Sequence, residues 1–242
     1  MRLRVFRSAD AVARVFARDV ARRIRRNPSL VLGLATGRTP VPLYAELVRL
    51  HRASRVDFAQ VRTFNLDEFL GLPARDPHSY RSFMRRHLFA HVNLPRRNIQ
   101  FLNGSTRDVD RECVRYERAI RRAGGLDLQI LGLGANGHIG FNEPATALFL
   151  RTHRAGLTVA TRRANAAAFG GRLSRVPREA LSMGIGTILA ARSILLIATG
   201  HSKARPIKRM LAGRITPAVP ASFLQLHQDV ELVLDAAAAK GV

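Results

Sequence analysis

The sequence holds one cysteine, no tryptophan, three tyrosines, three lysines and only 17 acidic residues in 242. A lone Cys113 forms no intrachain disulfide and excludes a zinc site built on several thiolates, which fits a reducing compartment. No apolar run approaches the roughly 20 residues that span a bilayer, and the arginine-broken start MRLRVFRSAD lacks the apolar centre of an export signal. Asp10, Asp19 and the helical pattern that begins at once argue against an organelle transit peptide. The expectation is a cytoplasmic protein with no membrane partner. The shortage of acids leaves a net charge of +23, which suits a partner rich in phosphate or an anionic metabolite. Yet the arginines are scattered from Arg2 to Arg214, and no basic and aromatic platform offers base stacking. Nucleic-acid binding is therefore not expected as the main function.

What is present is a core. Hydrophobic residues make up 47% of the chain, enough to bury a sizeable interior. Val12, Val15, Phe16, Val20 and Ile24 recur at helical spacing with arginines mostly between them, so residues 9–26 read as an amphipathic helix ended by Asn27-Pro28. Strands are expected at Leu30–Leu34, Val61–Asn65, Ile99–Leu102, Leu126–Leu133, Ile194–Thr199 and Val230–Leu234. Helices are expected at Val41–Leu50 and near 79–91, 108–123, 177–190, 202–212 and 219–227. Apolar strands alternating with helices imply an α/β fold with one doubly wound, mainly parallel, Rossmann-like sheet covered on both faces. With no Pro/Gly/Ser-rich linker and no repeat, residues 1–242 are expected to form a single domain. Ligands of such sheets sit beyond the carboxyl ends of the strands.

Three strand-end loops carry chemistry. Gly33-Leu34-Ala35-Thr36-Gly37-Arg38-Thr39-Pro40 has small residues before a helix, where backbone amides and the helix N-terminus favour an anion such as phosphate. The alternative is an ordinary turn with Thr39 as N-cap. Thr63-Phe64-Asn65-Leu66-Asp67-Glu68-Phe69 places two acids after a strand: a shielded carboxylate there is a general base, whereas the plainer reading has one acid capping the next segment and the other solvated. Gly132-Leu133-Gly134-Ala135-Asn136-Gly137-His138-Ile139-Gly140-Phe141-Asn142-Glu143-Pro144 turns sharply at its glycines and presents His138 beside Glu143, which is suited to fixing its tautomer or stabilising its imidazolium. No metal is favoured, because no second histidine sits at ligand spacing.

Taken together, LGLATGRTP at 32–40, TFNLDEFLGLP at 63–73, HSYRSFM at 78–84, LGLGANGHIGFNEP at 131–144, VPREALSMGIGTIL at 176–189 and TGHSKA at 199–204 resemble the glucosamine-6-phosphate deaminases, in order and over nearly the whole chain. The related sugar-phosphate lactonases share a G-x-G-x-x-G-H core, but the continuation Ile139 to Pro144 is similar to the deaminases. The resemblance implies a small-molecule sugar phosphate as partner and no cofactor, since no redox step occurs. It assigns Thr36, Gly37, Arg38, Thr39 and Lys203 to the phosphate, and His138, positioned by Glu143, to ring opening. Asp67 becomes the base at carbon 2, and Asn136 stands in the relay where some members carry an aspartate.

Two departures stand out. Ala167 occupies a place where the family usually has a phosphate-gripping arginine, with Arg38 or Arg172 as compensating cations. In the segment Thr146 to Ala155, His153 and Ala155 stand at positions where the allosteric members usually have basic contacts, and the chain stops at Val242 without the longer tail of those members. Activation by an N-acetylated sugar phosphate is therefore not expected. A related lactonase or isomerase, or a catalytically silent basic sensor that binds nucleic acid, are the competing readings, and a homo-oligomer is left open.

Overall fold

Ser8 accepts a hydrogen bond from the amide of Ala11 and starts α1 (Ala9–Arg26) in the computed structural model, which describes residues 1–240 and 242. Val12, Phe16, Val20 and Ile24 form the buried stripe that the spacing predicts. The other elements follow in alternation: β1 (Arg2–Phe6) before α1, then β2 (Val31–Leu34), α2 (Val41–Arg52), β3 (Arg62–Asn65), β4 (Asp67–Phe69), α3 (Tyr80–Met84), β5 (Ile99–Gln100), α4 (Val109–Arg122), β6 (Leu128–Gly132), β7 (His153–Gly156), α5 (Val159–Asn165), β8 (Glu179–Ser182), α6 (Ile185–Leu189), β9 (Ile194–Ala198), α7 (Ala204–Leu211) and β10 (Val230–Asp235).

Seven strands pair in parallel in the order β1-β10-β9-β6-β2-β3-β5. Period-two alternation divides the interior into two layers. Ile194, Leu196 and Ala198 of β9 pack with Tyr116 of α4, Ile188 of α6 and Ile207 of α7. Leu195 and Ile197 face Phe16 of α1 and Leu47 of α2. Each buried Leu, Ile or Phe among them contributes about 1.5–3 kcal/mol relative to exposure. The fold is thus the α/β, mainly parallel, doubly wound arrangement that the strand and helix alternation predicts. From β2 the chain proceeds outward to β3 and β5, then returns to lay β6 on the other side of β2. That reversal opens a crevice at the carboxyl ends of β2 and β6, the usual ligand position in such sheets.

A second, three-stranded antiparallel sheet, β4-β8-β7, stands beside the large one and was not visible in the sequence pattern. It corrects the helix expected over 177–190, whose first part is strand β8. The switch occurs at Gly184, where a Cβ would lie 2.3 Å from the Arg151 carbonyl oxygen, so the backbone is pressed against the preceding loop and only the short α6 follows. The helix expected over 219–227 is a 3-10 helix at Pro220–Leu226, and the one near 79–91 is α3 running into a wide π turn at Arg85–Phe89. Edge strand β1 went unread because its alternation is inverted. Leu3 and Val5 are exposed, while Arg4 points inward to Asp19 at 2.6 Å and Glu231 at 2.5 Å. No helix among the described residues is long and apolar enough to cross a membrane.

Candidate active site

β2 delivers the chain into Ala35–Pro40, where Gly37 takes φ = +107°, a conformation that a side chain resists. Helix α2 begins on Pro40 without a side-chain cap, so Thr39 is not the N-cap that the plainer reading required. Among the described residues, the amides of Gly37, Arg38 and Thr39 make no hydrogen bond within the chain. Together with the start of a 12-residue helix they form a positively polarised cradle.

The two neighbouring acids divide their work because successive residues of β4 face opposite ways. Glu68 is 2% exposed and accepts from the amides of Phe69, Tyr80 and Arg81, tying down the start of α3. Burial pushes its carboxyl up to about 7, against the pull of those three amides. Asp67 is 6% exposed, and its Oδ1 has no hydrogen-bond partner among the described residues. Burial, and then the charge of Glu68, push it up to about 8. One acid does cap the next segment, as the plainer reading held, but the other is desolvated in the crevice rather than solvated. An unpartnered buried carboxylate with a raised pKa is suited to taking a proton from a substrate.

The loop after β6 brings His138 to the same crevice. Its ring lies flat against Gly134, where a Cβ would come within 2.3 Å of the imidazole. Nδ1 of His138 faces Glu143 Oε2 at 3.5 Å. Asn136 Nδ2 donates to that same oxygen at 2.7 Å, and Asn136 Oδ1 accepts from the His138 amide at 3.2 Å. Thr161 of α5 donates its hydroxyl to Glu143 Oε1. Burial alone would raise the Glu143 carboxyl, but the facing imidazole, Thr161 and Asn136 together hold it below the usual range. The glutamate is therefore an anion aimed at the imidazole Nδ1.

The fourth wall comes from the end of β9. Asp235 of β10 accepts from Gly200 N with both oxygens at 3.0 Å, fixing the turn that carries Lys203. Lys203 Nζ donates to the Leu133 carbonyl at 2.7 Å. Burial, and then the charge of Arg38, lower the pKa of Lys203. These parts line one cavity of about 570 Å³. Thr36, Gly37, Arg38, Thr39 and Lys203 line it, with Arg38 and Lys203 as the cations, and Asp67 and His138 line it too. Asn136 and Glu143 stand behind His138 rather than on the wall. Arg172 is exposed and does not line the cavity, which leaves Arg38 as the lining arginine. Sequence reasoning missed Tyr80, Thr161 and Asn165, all on the wall. Thr161 lies just past the Thr158 cap of a short helix, and nothing in its local pattern marks it as a partner of Glu143.

Residues 6–233 match the family described as glucosamine-6-phosphate isomerases/6-phosphogluconolactonase. The chain is 47% identical over 240 residues to a glucosamine-6-phosphate deaminase of Clostridium perfringens, covering 99% of both chains. It is 49% identical over 234 residues to glucosamine-6-phosphate deaminase 2 of Giardia intestinalis, covering 97% of this chain and 89% of that one. Among solved structures it is similar to a monomeric glucosamine-6-phosphate deaminase, with a TM-score of 0.96, 41% identity and 99% of both chains covered. A 6-phosphogluconolactonase of Trypanosoma cruzi, at 21% identity and a TM-score of 0.78, shares the fold.

Proposed function

The chain belongs to the glucosamine-6-phosphate isomerase/6-phosphogluconolactonase family, and on that premise we propose that it converts glucosamine 6-phosphate and water to fructose 6-phosphate and ammonia. The observation that carries this reading is the desolvated, unpartnered Asp67 in a cavity that also holds a His-Glu pair and a cationic cradle. Deamination by isomerisation needs a base for a carbon-bound proton. Lactone hydrolysis has no such proton to remove.

In this reading the phosphate lies against the Gly37–Thr39 amides, Arg38 and Lys203, which holds the reacting carbons in register without taking part in the bond changes. His138 Nε2 takes the proton from the carbon 1 hydroxyl and returns one to the ring oxygen, opening the pyranose. Glu143 stabilises the imidazolium in between. The substrate ammonium at carbon 2 then sits near Asp67 and draws it to the ionised form. Asp67 removes the carbon 2 proton, while the substrate ammonium gives up one proton that His138 relays to oxygen 1, leaving a neutral enolamine. Asp67 returns its proton to carbon 1, leaving an iminium at carbon 2. Water adds there, and after proton transfer to nitrogen the C–N bond breaks, releasing ammonia and the ketose phosphate.

Purified protein with glucosamine 6-phosphate should yield fructose 6-phosphate and ammonia in equal amounts, read by coupled assays of each product. Hydrolysis of 6-phosphogluconolactone without any ammonia from the amino sugar would replace this reading with the lactonase one. The rate curve should be hyperbolic and indifferent to N-acetylglucosamine 6-phosphate. His153 stacks on Phe149 at 4.4 Å and burial lowers its pKa, so it supplies no cation to that region at neutral pH.

Replacing Lys203 with alanine removes one charge-assisted contact. KM should rise about 10- to 100-fold with a smaller change in kcat. Competitive inhibition by inorganic phosphate should weaken in parallel, and a KM equal to the parent's would take Lys203 out of the phosphate subsite.

A further inference from the structure

A second concavity, of about 890 Å³, runs along the open edge of the large sheet between β5, the start of β3 and the outer face of α4, and shares no lining residue with the first. Seven of its lining residues are arginines, against Asp108 and Glu112 as the acids. Four of the seven, Arg111, Arg115, Arg118 and Arg122, recur along α4 at intervals of four, three and four residues, so they form one stripe with about one helical turn, 5–6 Å, between neighbours. Arg62 and Arg97 line it from the β3 and β5 side, and Arg107 from the loop just before α4.

Among the described residues, all but one of these cations are left unpaired by the fold. Asp108 Oδ1 accepts from the Arg111 amide at the start of α4, and Glu112 is held by Arg115 and the Asn103 amide. The other six guanidinium groups make no ion pair or hydrogen bond among the described residues. Like charges so gathered repel one another unless an anion enters between them, and guanidinium forks match phosphate oxygens two at a time. The groove also lacks an exposed ring. Phe64 contributes to its floor but is only 2% exposed, so bases have nothing to stack on.

We propose that this groove binds a linear chain of inorganic phosphate groups, a polyphosphate, with successive phosphates laid along the α4 arginines. The site is independent of the proposed reaction and separate from its cavity. A chain of bare phosphates satisfies both features of the groove, a dense row of guanidinium groups and the absence of stacking surfaces. A nucleic acid would use only the first.

The test is binding of long-chain polyphosphate, followed by calorimetry at several salt concentrations, to the parent and two triple variants. The groove variant is Arg111→Ala, Arg118→Ala and Arg122→Ala. The control is Arg7→Ala, Arg26→Ala and Arg52→Ala, an equal loss of charge from exposed arginines elsewhere. The groove variant should bind at least about tenfold more weakly, with a salt dependence shallower by about one for each phosphate that is no longer neutralised. The control should bind as the parent does. Deaminase activity, and the circular dichroism spectrum as a check on folding, should be unchanged in all three. Three results would overturn the proposal: equal weakening in both variants, which assigns the attraction to net charge; tighter binding of single-stranded RNA than of polyphosphate at the same groove; or no binding by the parent at physiological salt.

Discussion

Replacing Asp67 with asparagine is expected to lower turnover about 10²- to 10⁴-fold while changing KM little, because the amide keeps the shape of the site and loses the base. Steady-state kinetics on glucosamine 6-phosphate measure both constants, and near-parental turnover would remove Asp67 from the base role. The parent's kcat/KM should climb with pH through about 8, where the free enzyme's Asp67 ionises. The residual activity of the variant should lack that limb.

The same substitution has a stability signature of defined sign. A carboxyl raised from an ordinary 3.8 to about 8 by burial stabilises the folded state fully below the lower value. That contribution is lost as pH rises through the upper value. The asparagine variant escapes the loss, so by thermal unfolding it should gain over the parent at pH 9 and gain less at pH 5. The difference at the alkaline end is on the order of a few kcal/mol. A parent that keeps pace with the variant at pH 9 would contradict the desolvation of Asp67.

Gly134→Ala is the second large effect, and it separates activity from stability. The added methyl would meet Cδ2, Nε2 and Cγ of His138 at 2.3–2.4 Å. Those atoms belong to a side chain, so the fold yields by turning the ring, at a cost of about 1–3 kcal/mol. Turning the ring disturbs the 3.5 Å approach of Nδ1 to Glu143 and withdraws Nε2 from its place in the crevice. A displacement near 1 Å at a catalytic group costs about 10²-fold in rate, so kcat/KM should fall by that factor or more while the protein remains folded at 25 °C. Kinetics beside a melting curve check this. Full activity in the alanine variant would show that the imidazole orientation does not matter.

How much of this was legible in the sequence depended on whether local pattern or distant packing set each element. The apolar runs at β2, β6, β9 and β10 announce themselves because both faces of a central parallel strand are buried. Strands β4, β7 and β8, of three, four and four residues, do not, because DEF, HRAG and EALS carry no alternation strong enough to separate strand from helix. Within the site, the glycine pattern locates His138 and the acids after β3 locate Asp67. Which acid serves the crevice is settled by the amides of Tyr80 and Arg81, more than ten residues downstream, gathering on Glu68. The link from Thr161 to Glu143 joins segments 18 residues apart and leaves no local trace. Ala167 is readable as a departure, with Arg38 or Arg172 as its compensating cation, but only the folded chain separates Arg38, on the wall, from Arg172, outside it.

The pairing of β4 with β8 sets Asp67 opposite Ser182 and Glu68 opposite Leu181. Ser182 Oγ also accepts from the amide of Phe141, at 3.0 Å, three residues past the imidazole. A slip of a single residue along that ladder would turn Glu68 toward the sugar and Asp67 toward the start of α3, and would drag the histidine loop with it. The small sheet therefore acts as a jig that indexes Asp67 and His138 to one another, and insertions in the 157–178 stretch that feeds β8 should be tolerated only where they leave that index untouched.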